Sequence, residues 1–194
     1  MTRIEPIARA QREDLKPVFS AVEAAMGFLP NSMLIMARKP GLVEAFSALA
    51  MQIQTAHSLP AGLAQMVAYL ASRSAGCQYC QAHTHHGLAK AVEQKKIDAI
   101  WDYETSSLFS DAERAALQVA QKAAHVPNEV DDCDFKELKK HYSEDQIIEI
   151  VSIISLFGFL NRWNDTLATP LEDIPAEHAK TSLSSDGWTG EKHL

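Results

Sequence analysis

Cys77 and Cys80 stand three residues apart in the stretch GCQYCQAHTHHG (residues 76–87), and His83, His85 and His86 follow within six residues of the second thiol. Where a Cys-x-x-Cys opens a helix, at least one sulfur sits beside unsatisfied backbone N–H groups and the positive end of the helix dipole. Both favour thiolate, the species that attacks a peroxide or a disulfide. A thiol of ordinary pKa near 8.5 is only about 3 % ionised at pH 7, whereas one lowered to about 7 is half ionised. The second sulfur can then close an intramolecular disulfide before oxidation goes further. A histidine one turn after Cys80 can accept or relay the proton.

Two other readings of the same residues compete. Structural zinc takes four tetrahedral ligands, usually as two pairs separated by a dozen or more residues. Here Cys77 and Cys80 make one pair and a second is missing, since Cys133 stands alone in VDDCDF. On a helix each residue rotates by about 100°, so His83 lies about 60° from Cys80, while His85 and His86 lie more than about 100° away. Two thiols and one histidine share a face, too few for a structural site, and no metal is expected. The plainest reading is a helix that merely carries small buried cysteines and solvated histidines. His85 and His86 are read as surface residues and Cys133 as an incidental thiol.

The elements that must position these residues are helical. Alternating strand runs and Asn-Gly or Asp-Gly hairpin signals are absent. Leu15, Val18, Val22 and Met26 recur at helical spacing before Gly27, and Asn31 or Ser32 is placed to cap the next short helix. Pro40-Gly41 opens a third, with Leu42, Phe46, Leu49 and Ile53 on one face. Pro60 suits a first-turn position, and Leu63, Met66, Val67 and Leu70 form an i, i+3, i+4, i+7 stripe leading to Gly76, immediately before the thiols. Ser110-Asp111-Ala112-Glu113 and Ser143-Glu144-Asp145-Gln146 have capping-box form. The expected fold is an all-α compact domain over residues 1–169, followed over 170–194 by an extended C-terminal arm that Trp188 anchors onto the body or a neighbouring subunit, with a frayed tail as the alternative reading. A shift of 84 residues lays Leu63, Met66, Val67 and Leu70 over Ile147, Ile150, Val151 and Ile154, a weak internal echo.

Composition narrows the function classes. The chain has 194 residues, 46 % of them hydrophobic and 22 % charged, enough for a core without disulfides or metals. A net charge of −7 with no basic run argues against nucleic-acid binding. The start, MTRIEPIARAQREDL, has no apolar stretch of signal type, and Ile147–Leu160, interrupted by Glu149, falls short of the ~18 apolar residues of a membrane span. The expectation is a cytoplasmic protein without membrane association, in which a Cys-x-x-Cys is catalytic or metal-binding rather than a structural disulfide.

The stretch LPAGLAQMVAYLASRSAGCQYCQAHTHHGLAKA (residues 59–91) resembles the core motif of the carboxymuconolactone decarboxylase superfamily, in its alkylhydroperoxidase D-like branch. FLNRWNDTLATPLE (residues 159–172) is similar to the C-terminal part of longer, peroxidase-related members. The resemblance implies an all-helical domain that assembles as a trimer or hexamer. It implies Cys80 as attacking thiol, Cys77 as resolving thiol and His83 as proton relay. The family histidine commonly comes four residues after the second cysteine, where this chain has Thr84; offsets of three and four share a helical face. The family glutamate of the relay falls at Gln65, whose amide can orient water but cannot take a proton. Another carboxylate must then serve, and Glu149, matched to Gln65 by the internal echo, is the candidate.

The implied activity is dithiol peroxidase or thiol–disulfide oxidoreductase chemistry on a small hydroperoxide or disulfide, with no bound cofactor and an external thiol reductant. Two alternatives stand beside it: a lactone decarboxylase, which needs acid–base residues rather than a Cys pair, and a redox-sensing or scaffold protein weakened by Gln65.

Overall fold

Every regular element in the computed structural model, which describes residues 2–55 and 58–194, is helical. In chain order these are α1 (Lys16–Met26), α2 (Asn31–Met36), α3 (Leu42–Thr55), α4 (Leu63–Ser74), α5 (Gln78–Ala91), α6 (Gln94–Asp98), α7 (Asp111–Ala123), α8 (Asp132–His141), α9 (Glu144–Leu167) and α10 (Asp173–Ser182). Short 3-10 turns precede α1, follow α6 and punctuate the C-terminal end.

α4 is the centre. Its expected stripe is fully buried, with Leu63, Val67 and Leu70 at 0 % exposure, and α5, α7 and α9 pack around it. The apolar material of this layer removes water from several large side chains at once, roughly 1.5–3 kcal/mol each. A second cluster, built from Leu15, Phe19, Met33, Met36 and Val43, joins α1, α2 and α3 and meets α9 through Leu160 and Trp163.

The two capping boxes form as read: Ser110 Oγ accepts from Glu113 N and Ser143 Oγ from Gln146 N, each at 3.2 Å. Other helix starts differ from the sequence reading. Pro30, not Asn31 or Ser32, is the N-cap of α2, because the Asn31 amide is taken by the Pro170 carbonyl and Ser32 is buried. Pro60 lies before α4 rather than in its first turn, and Gly62, at φ 80°, begins the helix. A Cβ there would come within 2.8 Å of Val92 Cγ2, so close packing as well as conformation requires glycine.

α9 runs on past the expected apolar segment to 24 residues, and by length and composition it is long and apolar enough to cross a membrane. In this fold α3, α4, α5, α7 and α8 pack against it. It also runs unbroken where the first half of the internal echo ends α4, turns and starts α5. The echo therefore stops at one helix face.

Residues 170–194 leave α9 at Ala168, whose φ of 50° turns the chain back. The arm is partly helical rather than extended: α10 packs on α5, and two 3-10 turns follow. Trp188 anchors it to the body, its Nε1 donating to the Gln78 carbonyl at 2.9 Å. Gln78 Oε1 accepts from Thr189 N and Gly190 N at 3.0 and 2.7 Å. The arm is thus tied to the first residue of α5, beside the first thiol.

Candidate active site

The turn between α4 and α5 is three residues long, Ala75, Gly76 and Cys77. Gly76, at φ 73°, reverses the chain, and Cys77 takes extended backbone angles as the N-cap of α5. Its Sγ accepts from Cys80 N at 3.5 Å, the contact a capping serine would make. Cys80 follows in the first turn, so both sulfurs stand at the positive end of the helix. Asn164, on α9, donates its Nδ2 to Cys80 Sγ at 3.5 Å. Cys77 is 0 % and Cys80 3 % exposed, and both are free thiols.

The two sulfurs ionise unequally. A hydrogen bond from the Cys80 thiol holds Cys77 below the ordinary thiol range against the opposing effect of burial, with the backbone N–H groups of Cys80 and Tyr79 adding to it. Burial pushes Cys80 well above that range, and the neighbouring Cys77 sulfur pushes it further, while Asn164 opposes. Of the two, Cys77 is the more readily ionised and Cys80 the more firmly protonated.

His83 is one turn on and faces a carboxylate. Its Nε2 lies 2.6 Å from Glu172 Oε2. A carboxylate only accepts, so Nε2 carries the hydrogen and Nδ1 is the nitrogen left to exchange a proton. Glu172 Oε1 accepts from the Tyr79 hydroxyl at 2.8 Å and from Asn31 N at 2.5 Å. Burial raises Glu172, but His83 and the backbone N–H groups of Asn31 and of Glu172 itself outweigh it and hold the acid below the usual carboxylate range. Tyr79 stacks on the His83 ring with centroids 4.4 Å apart, and Phe28 meets it edge-on at 5.2 Å. Tyr79 is itself raised well above its ordinary value by burial and by Glu172.

Gln65 does not join this group. It lies one turn into α4, toward the end of the α4–α5 pair where Gly62 abuts Val92. α5 spans 14 residues, about 21 Å, between that end and Cys77. Among the described residues, the Gln65 side chain hydrogen-bonds neither His83 nor the thiols. Glu149 is also elsewhere: its carboxylate accepts from Ser58 N at 2.9 Å. The carboxylate on His83 is Glu172, 89 residues away in sequence.

His85 corrects the surface reading. It is 4 % exposed and hydrogen-bonded through Nδ1 to His178 Nε2 at 2.8 Å, on the α10 side of α5. Burial and the neighbouring His178 hold it down at about 4. Cys133, in the first turn of α8, is exposed and apart from the pair. Asn164, Glu172 and the arm residue His193, which lies beside Cys77, are the site residues that sequence reasoning missed. The usable signal for the first two was the 159–172 stretch, which contains both.

The profile of the carboxymuconolactone decarboxylase family matches residues 40–122. The debrominase Bmp8 is 36 % identical, with a TM-score of 0.85, over 93 % of this chain and 97 % of that one. A cysteine-to-alanine variant of Bmp8 has been solved in complex with 2,3,4-tribromopyrrole and superposes at a TM-score of 0.86. A peroxidase-related protein from Ralstonia eutropha JMP134, described as an alkylhydroperoxidase AhpD core, shares the fold at 23 % identity and a TM-score of 0.76, over 90 % and 94 % of the two chains. The Escherichia coli (strain K12) protein YnjA is 32 % identical over 102 residues, 52 % of this chain and 53 % of that protein, so the match spans about half the length of that relative.

Proposed function

The chain belongs to the carboxymuconolactone decarboxylase family and has its alkylhydroperoxidase D-like fold, and on that premise we propose that it is a dithiol reductase of small hydroperoxides. The observation that carries the reading is the pair itself: two free sulfurs in one helix turn, Cys77 the more readily ionised and Cys80 the more firmly protonated. Cys80, the less completely buried residue of the pair, attacks the outer oxygen of the hydroperoxide while its proton moves to Cys77. The O–O bond breaks, an alcohol leaves with a proton supplied through His83, and Cys80 becomes a sulfenic acid. Cys77 then displaces that oxygen as water and closes the disulfide. The two thiols supply both electrons, and an external thiol restores them. No bound cofactor is needed, and the regenerating step suits a reducing compartment, the cytoplasm.

Glu172 supports turnover over a weakened scaffold. Gln65 was the feature favouring lost activity, and His83 has its carboxylate from another element. The lactone reading gains nothing from a paired dithiol.

The likeness to Bmp8 favours one second reading, reduction of a halogenated aromatic. A thiolate attacks the bromine, the ring carbon takes a proton, and the second thiol displaces bromide to form the same disulfide. Phe28, Tyr79 and His83 would offer a flat ring aromatic walls.

One pair of assays separates these readings. With dithiothreitol as reductant, hydroperoxide consumption and bromide release from a bromopyrrole are measured for wild type and Cys80→Ser. Hydroperoxide loss that disappears in the variant supports the first reading. Bromide release alone selects the second, and neither activity refutes dithiol turnover.

A further inference from the structure

The end of the arm holds a group that the reaction above leaves unused. His193 is 1 % exposed, and its Nδ1 lies 2.8 Å from the Thr169 carbonyl oxygen. A carbonyl only accepts, so Nδ1 carries the hydrogen, and in the neutral ring Nε2 holds a lone pair. That Nε2 is buried without a hydrogen-bond partner, a condition that costs about 1–3 kcal/mol and calls for an explanation. A donor is beside it. Cys77 Sγ, a ring nitrogen of His193 and a carboxylate oxygen of Asp165 lie within 4.8 Å of one another. Asp165 Oδ1 is 3.8 Å from Nε2.

We propose that His193 is the proton acceptor for Cys77, Nε2 taking the S–H proton when Cys77 attacks oxidised Cys80 and Asp165 stabilising the imidazolium that forms. The proposal rests on the dithiol reading. When Cys80 attacks the hydroperoxide its proton moves to Cys77, which must shed it before it can act as a nucleophile. The proton passes to Nε2, the Cys77 sulfur bonds to the Cys80 sulfur, and the S–O bond breaks. The leaving hydroxide takes the proton back as water. Hydrogen bonds of this kind are often long before substrate binds and tighten during reaction.

The surroundings agree. Burial holds His193 below the ordinary imidazole range, against Thr169 and Asp165, so the ring is neutral and able to accept at pH 7. The charged and titratable groups around it are Asp165 of α9, Glu191 and Lys192 of its own turn, and Cys77 and Tyr79 of the α5 start. The cation beside Asp165 is the Lys192 ammonium, at 2.8 Å, which argues against a metal ion sharing the three donors.

The first test needs no substrate. In Cys80→Ser/Cys133→Ser protein Cys77 is the only thiol, and its ionisation is followed by ultraviolet thiolate absorbance against pH. A neutral Nε2 that accepts the S–H hydrogen favours the thiol form, so adding His193→Gln should raise the thiolate fraction at pH 7, by up to about tenfold for one unit of pKa; an unchanged or lowered thiolate fraction overturns the proposal. The second test mixes reduced full-length protein rapidly with tert-butyl hydroperoxide and traps sulfenic acid with dimedone. His193→Gln should form sulfenic acid at the wild-type rate and close the disulfide about a hundredfold more slowly. Added imidazole should restore closure to His193→Ala, which a purely structural loss would not allow. Closure at the wild-type rate, or an equal slowing of both steps, overturns the proposal. If wild type never reacts with the hydroperoxide, the functional reading fails, and the thiol titration still decides on His193. Zinc bound at one per chain and lost with His193→Gln would overturn the proposal in favour of a metal site.

Discussion

Glu172→Gln keeps the shape of the side chain and the hydrogen bond from Tyr79 but removes the charge that faces His83 Nε2. If the relay runs through His83, single-turnover oxidation of Cys80 should slow by about 10²-fold in stopped-flow experiments. Gln65→Glu, placed toward the other end of the α4–α5 pair, should change the same rate by no more than about twofold. A large gain from Gln65→Glu would put residue 65 back in the relay. The contrast marks what was legible at this scale. Cys77, Cys80 and His83 follow one another at intervals of three residues, each about one helix turn from the next, so rotation per residue keeps neighbours on one face. Asn164, Glu172 and His193 arrive from the end of α9 and the arm. No periodicity says which distant carboxylate or imidazole will turn toward that face.

α5 is held from one side by α4 and from the other by α10, and the second contact includes the His85–His178 hydrogen bond. His85 is held at about 4 when folded, against an ordinary value near 6.5. In the unfolded chain it binds its proton first as pH falls, so the stability gained from keeping it neutral is fully present above about pH 6.5. It is lost progressively down to about 4 and changes little below. Over about 2.5 pH units at about 1.4 kcal/mol each, the loss is at most about 3.5 kcal/mol. Urea unfolding between pH 7 and 4 should show it, and His85→Gln should flatten the slope; equal slopes would mean that His85 titrates normally in the fold. The sequence located most helices because their apolar spacing and capping boxes are local properties. It misplaced the starts of α2 and α4, where the Pro170 carbonyl and Val92 decide the local geometry. It also read His85 as a surface residue, because nothing within α5 announces that α10 will cover it.

The whole molecule leaves apolar side chains of α3 and α9 facing outward, with Leu49 55 %, Ile148 65 % and Phe159 42 % exposed. We propose that this face joins copies of the chain into a homo-oligomer, a trimer or hexamer. Light scattering should then give a multiple of the chain mass, reduced by Leu49→Glu/Phe159→Glu; a wild-type monomer would contradict it. The path of the arm was not legible, since it follows from Gln78 collecting four hydrogen bonds from residues 188–190. That path brings the arm to Cys77, so the fold as a whole converges on the two sulfurs. The most direct measurement is peptide mapping of the protein after one equivalent of hydroperoxide and alkylation of the remaining thiols. The account predicts a Cys77–Cys80 disulfide within one chain, formed in step with loss of the hydroperoxide, and a freely alkylated Cys133. Three alkylated thiols, or a bridge that contains Cys133, would contradict it.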